Sequence, residues 1–196
     1  MKVVGITGGV GAGKSEVLRL IAEMSDCFVL RADDLAKELE KKGEVCYEPL
    51  VELLGRDILD ENGEINSKKM AGVIFAEGGS DKLAAVNAIV HPAVKKRILE
   101  LIEKSDKGAK YDYFFIEAAL LIEDHYDTIV DEMWYIYAPT EVRRTRLKET
   151  RGYSDAKIDE IMRSQCSDEE FRAHCAVVID NGKSLEETRK RIAEII

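Results

Sequence analysis

The residues best placed to do chemistry lie in one stretch near the start of the chain, Gly8-Gly9-Val10-Gly11-Ala12-Gly13-Lys14-Ser15. The pattern is G-x-x-x-x-G-K-S. Glycines allow a tight backbone turn whose N–H groups point inward, forming a nest for phosphate oxygens. A helix opening at Lys14 adds its positive end to the same anion site. Gly8, Gly11, Ala12, Gly13 and Glu16 therefore belong with Lys14 and Ser15 to a nucleotide-binding loop. Lys14 is expected to reach the β- and γ-phosphates, and the Ser15 hydroxyl to hold Mg²⁺. A glycine-rich turn without function is the plain alternative. The flanks argue against it, because Val3, Val4 and Ile6 read as a buried strand before the loop. Val17, Leu18, Ile21 and Met24 read as one face of a helix after it.

Other candidates fall at the ends of further strands, where ligands bind in open α/β sheets. Cys27–Leu30 reads as a second strand, ending on Arg31-Ala32-Asp33-Asp34. Asp33 is taken as functional and Asp34 as a cap of the following helix, since aspartate is a favoured N-cap. Tyr113–Ile116 reads as a third strand ending on Glu117, an acidic group suited to Mg²⁺ or its waters. Met133–Tyr137 is the fourth strand. Thr140 is expected to cap the next helix, which carries Arg143, Arg144, Arg146 and Lys148 and is followed by Arg151. Beside a phosphate loop this basic cluster reads as a lid over residues 140–166 whose guanidinium groups clamp a transferring phosphoryl. Arg143 and Arg146 can share a helix face, and Arg144 cannot. Val177–Asp180 is the fifth strand, Asn181-Gly182 a turn, and 185–196 the closing helix.

The elements that position these groups alternate strand and helix, which gives a parallel five-stranded sheet covered on both faces: an α/β nucleotide-kinase-like fold. Residues 34–104 interrupt the alternation and read as an inserted helical subdomain. Inside it, Asn62-Gly63 marks a tiny hairpin, and Pro92 puts His91 at a junction between two helices. Ser105–Lys110 reads as a loop. The 196 residues make one domain with that insertion.

Composition narrows the function classes. A net charge of −9 disfavours broad affinity for nucleic acid or an anionic membrane. Cys27, Cys46, Cys166 and Cys175 form no C-x-x-C pair, and His91, His125 and His174 do not complete a zinc pattern. Free thiols and a start without a signal-peptide pattern point to the cytoplasm. There is no span for a membrane and no N-K-x-D motif, so a small-molecule kinase is expected, acting as a monomer or weak homo-oligomer.

The same residues resemble the dephospho-CoA kinase family nearly end to end. Gly5-Ile6-Thr7 with the loop looks like that family's first strand and P-loop. Arg31-Ala32-Asp33 followed by Leu35-Ala36-Lys37 matches its Asp-Ala-Asp motif at the second aspartate. Gly55, Ile58-Leu59, Asn62-Gly63-Glu64-Ile65 and Ile74-Phe75 follow its subdomain, and His91-Pro92 its His-Pro pair. Glu117-Ala118-Ala119-Leu120-Leu121-Ile122-Glu123 resembles Asp-x-Pro-Leu-Leu-x-Glu. Arg146, Gln165 and Val178-Ile179-Asp180-Asn181 fit the lid helix, the next helix and the last strand. Arg31, Ala119, Thr150 and Ala176 depart from the family's usual residues. The resemblance implies transfer of the ATP γ-phosphoryl to the ribose 3′-hydroxyl of dephospho-CoA with Mg²⁺. It makes Asp33 the base, Arg146 the charge stabiliser, His91 part of the acceptor site and Asn181 a neighbour of adenine. A kinase of a nucleoside or nucleotide, and a non-catalytic nucleotide sensor, are the rival readings.

Overall fold

The computed structural model describes residues 1–76, 79–118 and 120–196. In chain order its elements are β1 (Lys2–Thr7), α1 (Lys14–Met24), β2 (Cys27–Arg31), α2 (Ala32–Leu39), α3 (Tyr47–Leu54), α4 (Ser67–Ile74) and α5 (Gly79–Gly108). There follow β3 (Tyr113–Glu117), β4 (Glu132–Tyr137), α6 (Thr140–Arg151), α7 (Asp155–Arg163), α8 (Asp168–His174), β5 (Val177–Asp180) and α9 (Leu185–Ala193). The chain divides into two compact units, Met1–Leu30 with Ser105–Ile196, and Arg31–Lys104.

The first unit is built on a five-stranded sheet in the order β2-β3-β1-β4-β5. β1 is central and pairs in parallel with β3 and β4, and β4 pairs in parallel with β5. Every residue of β1 after Lys2 is buried, which is why the strand reads as an unbroken apolar run. Val4, Ile6, Val17, Ile21, Phe115, Trp134 and Ile179 form its core. Trp134 lies edge-on to Phe115, with centroids 5.4 Å apart, and its indole N–H donates to Glu132 at 2.6 Å. The register sets Ile6 beside both Glu117 and Trp134, and Tyr137 beside Asp180. The exits from β1, β3, β4 and β5 therefore come out along one edge of the sheet, the edge where such folds hold ligands.

The second unit is helical, with a 3-10 turn at Arg56–Ile58. The expected hairpin around Asn62-Gly63 is a single antiparallel bridge, Leu59 to Ile65. The Asp60 carboxylate closes it by accepting from the Asn62 and Glu64 N–H groups at 2.8 and 3.0 Å. Two expectations are corrected here. His91 is not at a helix junction, because α5 runs through Pro92 without interruption. Val86, Val90, Val94 and Ile98 recur every four residues and are all at most 7% exposed. Burial of that one stripe on both sides of Pro92 outweighs the local cost of proline. Ser105–Gly108 is likewise helix and not loop, as the last turn of α5. No helix among the described residues is long and apolar enough to cross a membrane.

Candidate active site

The loop between β1 and α1 shows how the sequence makes an anion site. The helix starts at Lys14, as expected, after Gly13 at φ 87°, a left-handed conformation that a side chain would strain. Each loop carbonyl from Gly8 to Gly13 accepts a hydrogen bond. Gly8 O takes the Lys14 ammonium at 2.7 Å, Gly9 O the Ala12 N–H at 3.1 Å and Val10 O the Arg143 Nε at 2.8 Å. Arg146 Nη1 donates to Gly11 O at 3.5 Å and Ala12 O at 3.2 Å, and the Asn181 amide donates to Ala12 O at 2.8 Å. Gly13 O takes the Glu16 and Val17 N–H groups, both at 3.1 Å. With the carbonyls tied, the N–H groups of Gly11, Gly13 and Ser15 have no acceptor among the described residues. That is the nest, at the positive end of a helix.

A cavity of about 520 Å³ opens on this loop. Gly11, Gly13, Lys14, Ser15, Glu16, Glu117, Arg146 and Asn181 all line it, so eight of the sequence candidates meet in one place. Gly9, Val10, Leu147, Thr150, Arg151, Gln165 and Leu185 complete the wall. Gln165 was legible only through the family pattern, and no motif marks Leu185. Asn181 is 2% exposed and braced, its side-chain oxygen accepting from Thr188 Oγ1 at 3.1 Å. Its backbone oxygen accepts from Arg146 Nη2 at 2.8 Å.

Among the described residues no cluster of three His, Cys, Asp or Glu side chains could hold a metal ion by itself. A P-loop Mg²⁺ does not need one, because Mg²⁺ keeps waters and takes phosphate oxygens with one or two protein ligands. Ser15 and Glu117, whose side chains carry hard oxygen donors, line one cavity and fit that requirement.

The basic helix divides as its spacing predicted. Arg143 and Arg146 turn to the loop, and Arg144 turns away to Asp155 and Asp159. Burial holds Arg143 below the ordinary arginine value, and the neighbouring Tyr135 opposes this. Burial pushes the Tyr135 phenol up, with Asp168 beside it adding to the effect. Thr140 is not the cap of α6. Pro139 holds that place, and Thr140 is the first helical residue. Glu16 contributes to the loop through its backbone; its carboxylate bonds Arg19 at 2.6 and 3.1 Å, which holds it below the usual carboxylate range.

Asp33 and His91 belong to the second unit. Asp33 is exposed in the first turn of α2, and His91 is half-buried near the middle of α5. Asp34 does not cap α2: the helix begins at Ala32, directly after the strand, with Arg31 as its N-cap. Both aspartates thus fall in the first turn, where negative charge suits the helix dipole. Ala119 lies outside the described residues.

A parallel sheet in this order, with a phosphate nest after the central strand and arginines from a following helix laid on it, defines a P-loop kinase. The dephospho-CoA kinase (CoaE) family profile matches residues 2–187. A dephospho-CoA kinase of Aquifex aeolicus is 37% identical, over 100% of this chain and 96% of its own. One of Carboxydothermus hydrogenoformans is 33% identical, over 100% of this chain and 93% of its own. A crystal structure of a Thermus thermophilus protein superposes with a TM-score of 0.82 at 26% identity, covering 100% of this chain and 98% of the other. The chain belongs to the dephospho-CoA kinase family.

Proposed function

We propose that this chain transfers the γ-phosphoryl of ATP to the ribose 3′-hydroxyl of dephospho-CoA, giving coenzyme A and ADP. Full-length membership of the family supports the reaction. The observation that carries the site is the loop itself, whose carbonyls are all engaged and whose Gly11, Gly13 and Ser15 N–H groups are left for phosphate. Phosphoryl transfer needs positioning and neutralisation of charge more than covalent chemistry. In this reading the loop N–H groups and Lys14 bind the β- and γ-phosphates. Ser15 would hold Mg²⁺ and Glu117 its waters; when bound, the ion neutralises charge on the phosphates. Arg146 stabilises charge on the transferring group. Asn181 and Leu185 wall the nucleotide base. Asp33 orients the acceptor hydroxyl and takes its proton, and the unit containing His91 receives the rest of the acceptor, with residues 140–166 as the lid. The four cysteines are free thiols, which suits a reducing cytoplasm.

The test is direct. Purified protein with Mg·ATP and dephospho-CoA should yield coenzyme A and ADP, and Lys14→Ala should lose turnover by orders of magnitude while keeping its fold. Near-normal turnover in Lys14→Ala sinks the loop assignment. Turnover of a nucleoside in place of dephospho-CoA identifies a different acceptor, and ATP binding with no turnover of any acceptor identifies a sensor.

A further inference from the structure

Val10, at the tip of the loop, is held differently from its neighbours. Its N–H donates to Gln165 Oε1 at 3.0 Å and its carbonyl accepts from Arg143 Nε at 2.8 Å. The two side chains are themselves joined, Arg143 Nη2 donating to Gln165 Oε1 at 3.1 Å. The result is a closed ring of three hydrogen bonds around one residue. It spans 155 residues of sequence between Val10 and Gln165. Both polar groups of Val10 are thereby removed from the phosphate side. Gly9 completes the fit, since a methyl group built there would overlap the Arg143 guanidinium. Its backbone is not in the left-handed region, so what a side chain at this position would displace first is the guanidinium.

We propose that Arg143 and Gln165 are positioning residues that bracket the tip of the loop and set its phosphate-binding shape before ATP arrives. The inference rests on the reading of the loop as the ATP site. A loop ordered in advance costs nothing to order on binding, and the gain applies equally to bound ATP and to the transition state. Loss of the bracket should therefore raise KM for ATP and leave kcat nearly unchanged. A group that stabilised the transition state would do the reverse.

The experiment uses the full chain and steady-state kinetics with ATP and dephospho-CoA varied in turn. Arg143→Ala and Gln165→Ala should each raise KM for ATP about tenfold, the factor for one lost hydrogen bond to a charged group. They should leave kcat and the KM for dephospho-CoA within about twofold, as expected for loss of uniform binding. The double variant should be no worse than the worse single one, because the ring acts as a unit. Gly9→Ala should reproduce the Arg143→Ala phenotype, and added to Arg143→Ala it should change little. Arg143→Lys keeps the charge but cannot span two acceptors, so it should remain impaired. Recovery in Arg143→Lys would overturn the proposal, leaving charge alone as the cause. So would additive effects in the double variant, a fall in kcat with KM unchanged, or a lowered Tm with unchanged kinetics. If Arg143→Ala does not fold, Gly9→Ala carries the same test. A wild-type chain that turns over no ATP refutes the reading of the site, whereas normal wild-type turnover with unaltered variants refutes only the bracket.

Discussion

Asn181→Ala separates two roles that one buried amide could have. In the structure the side chain is a strut between the exit of β5 and the loop. Its amide donates to Ala12 O at 2.8 Å and its oxygen accepts from Thr188 Oγ1 at 3.1 Å. Truncation removes both bonds. Neither partner is then orphaned: Ala12 O keeps Arg146 Nη1 at 3.2 Å, and Thr188 Oγ1 keeps Ser184 O at 3.2 Å. The full desolvation penalty is therefore avoided, and about 1 kcal/mol per lost bond, ~2 kcal/mol in all, is the expected loss. For a chain of this size that lowers Tm by about 4–8 °C. Thermal unfolding followed by circular dichroism measures it, with KM for ATP determined on the same protein. Asn181→Asp is the control. It keeps the shape and the bond to Thr188, loses the donor, and sets a carboxylate against a carbonyl oxygen. It should be at least as unstable as the alanine variant and should bind ATP more weakly still, by repulsion of the triphosphate. A Tm within 1 °C or so of wild type for Asn181→Ala, with KM raised tenfold or so, would refute the strut and make Asn181 a nucleotide contact only.

The other expectations concern the arginines and the aspartates. Arg146→Ala should reduce kcat about 10²-fold, in the range for a lost charge-stabilising donor, and weaken ATP binding less. Arg144→Ala should leave kcat within about twofold, because its partners Asp155 and Asp159 hold it away from the cavity; the opposite pattern in initial rates would show the register of the lid to be wrong. Asp33→Asn should cut kcat by about 10²–10⁴-fold with substrate affinities little changed, the contribution of a general base. Asp34, exposed and 3.9 Å from Lys37, should shift stability by less than about 1 kcal/mol on conversion to Asn and spare kcat. Loss of turnover in Asp34→Asn, with Asp33→Asn mild, would place the base one residue along.

Local signals told most where one segment decides its own conformation. The glycines, Lys14 and Ser15 needed only the strand before them and the helix after them. The i, i+3 spacing of Arg143 and Arg146 was enough to turn both to one side and Arg144 to the other. Pro92 was misread because its neighbourhood argues for a break, while the buried stripe from Val86 to Ile98 argues for continuity over a longer range, and burial won. Asp34 was misread because an aspartate satisfies the capping rule, whereas the helix starts ahead of both aspartates, at Ala32, directly where the strand lets go. α8 went unnoticed although Ser167-Asp168-Glu169-Glu170 carries its signal. Ser167 and Glu170 form a reciprocal capping box in the structure. The ring of Arg143, Gln165 and Val10 could not be read at all, since it joins residues 133 and 155 positions from the loop.

How an acidic protein keeps a cationic site follows from where its charges are paired. The chain carries −9 overall, and many of its acidic side chains are paired locally on helix exteriors, as in Glu16 and Glu23 with Arg19, Glu160 with Lys157, and Asp168 with Arg172. The arginines at the loop are handled otherwise. The oxygens that Arg143 and Arg146 bond are those of carbonyls and a side-chain amide, all neutral. A guanidinium held by a carboxylate has its field largely cancelled; one held by dipoles is fixed in place with its charge still unspent. The same bonds also turn the carbonyls of Val10, Gly11 and Ala12 away from the nest, removing the negative ends of those peptides from the anion's path. Orientation of the loop and retention of charge are thus one arrangement, and replacing either arginine by a neutral residue disturbs both at once.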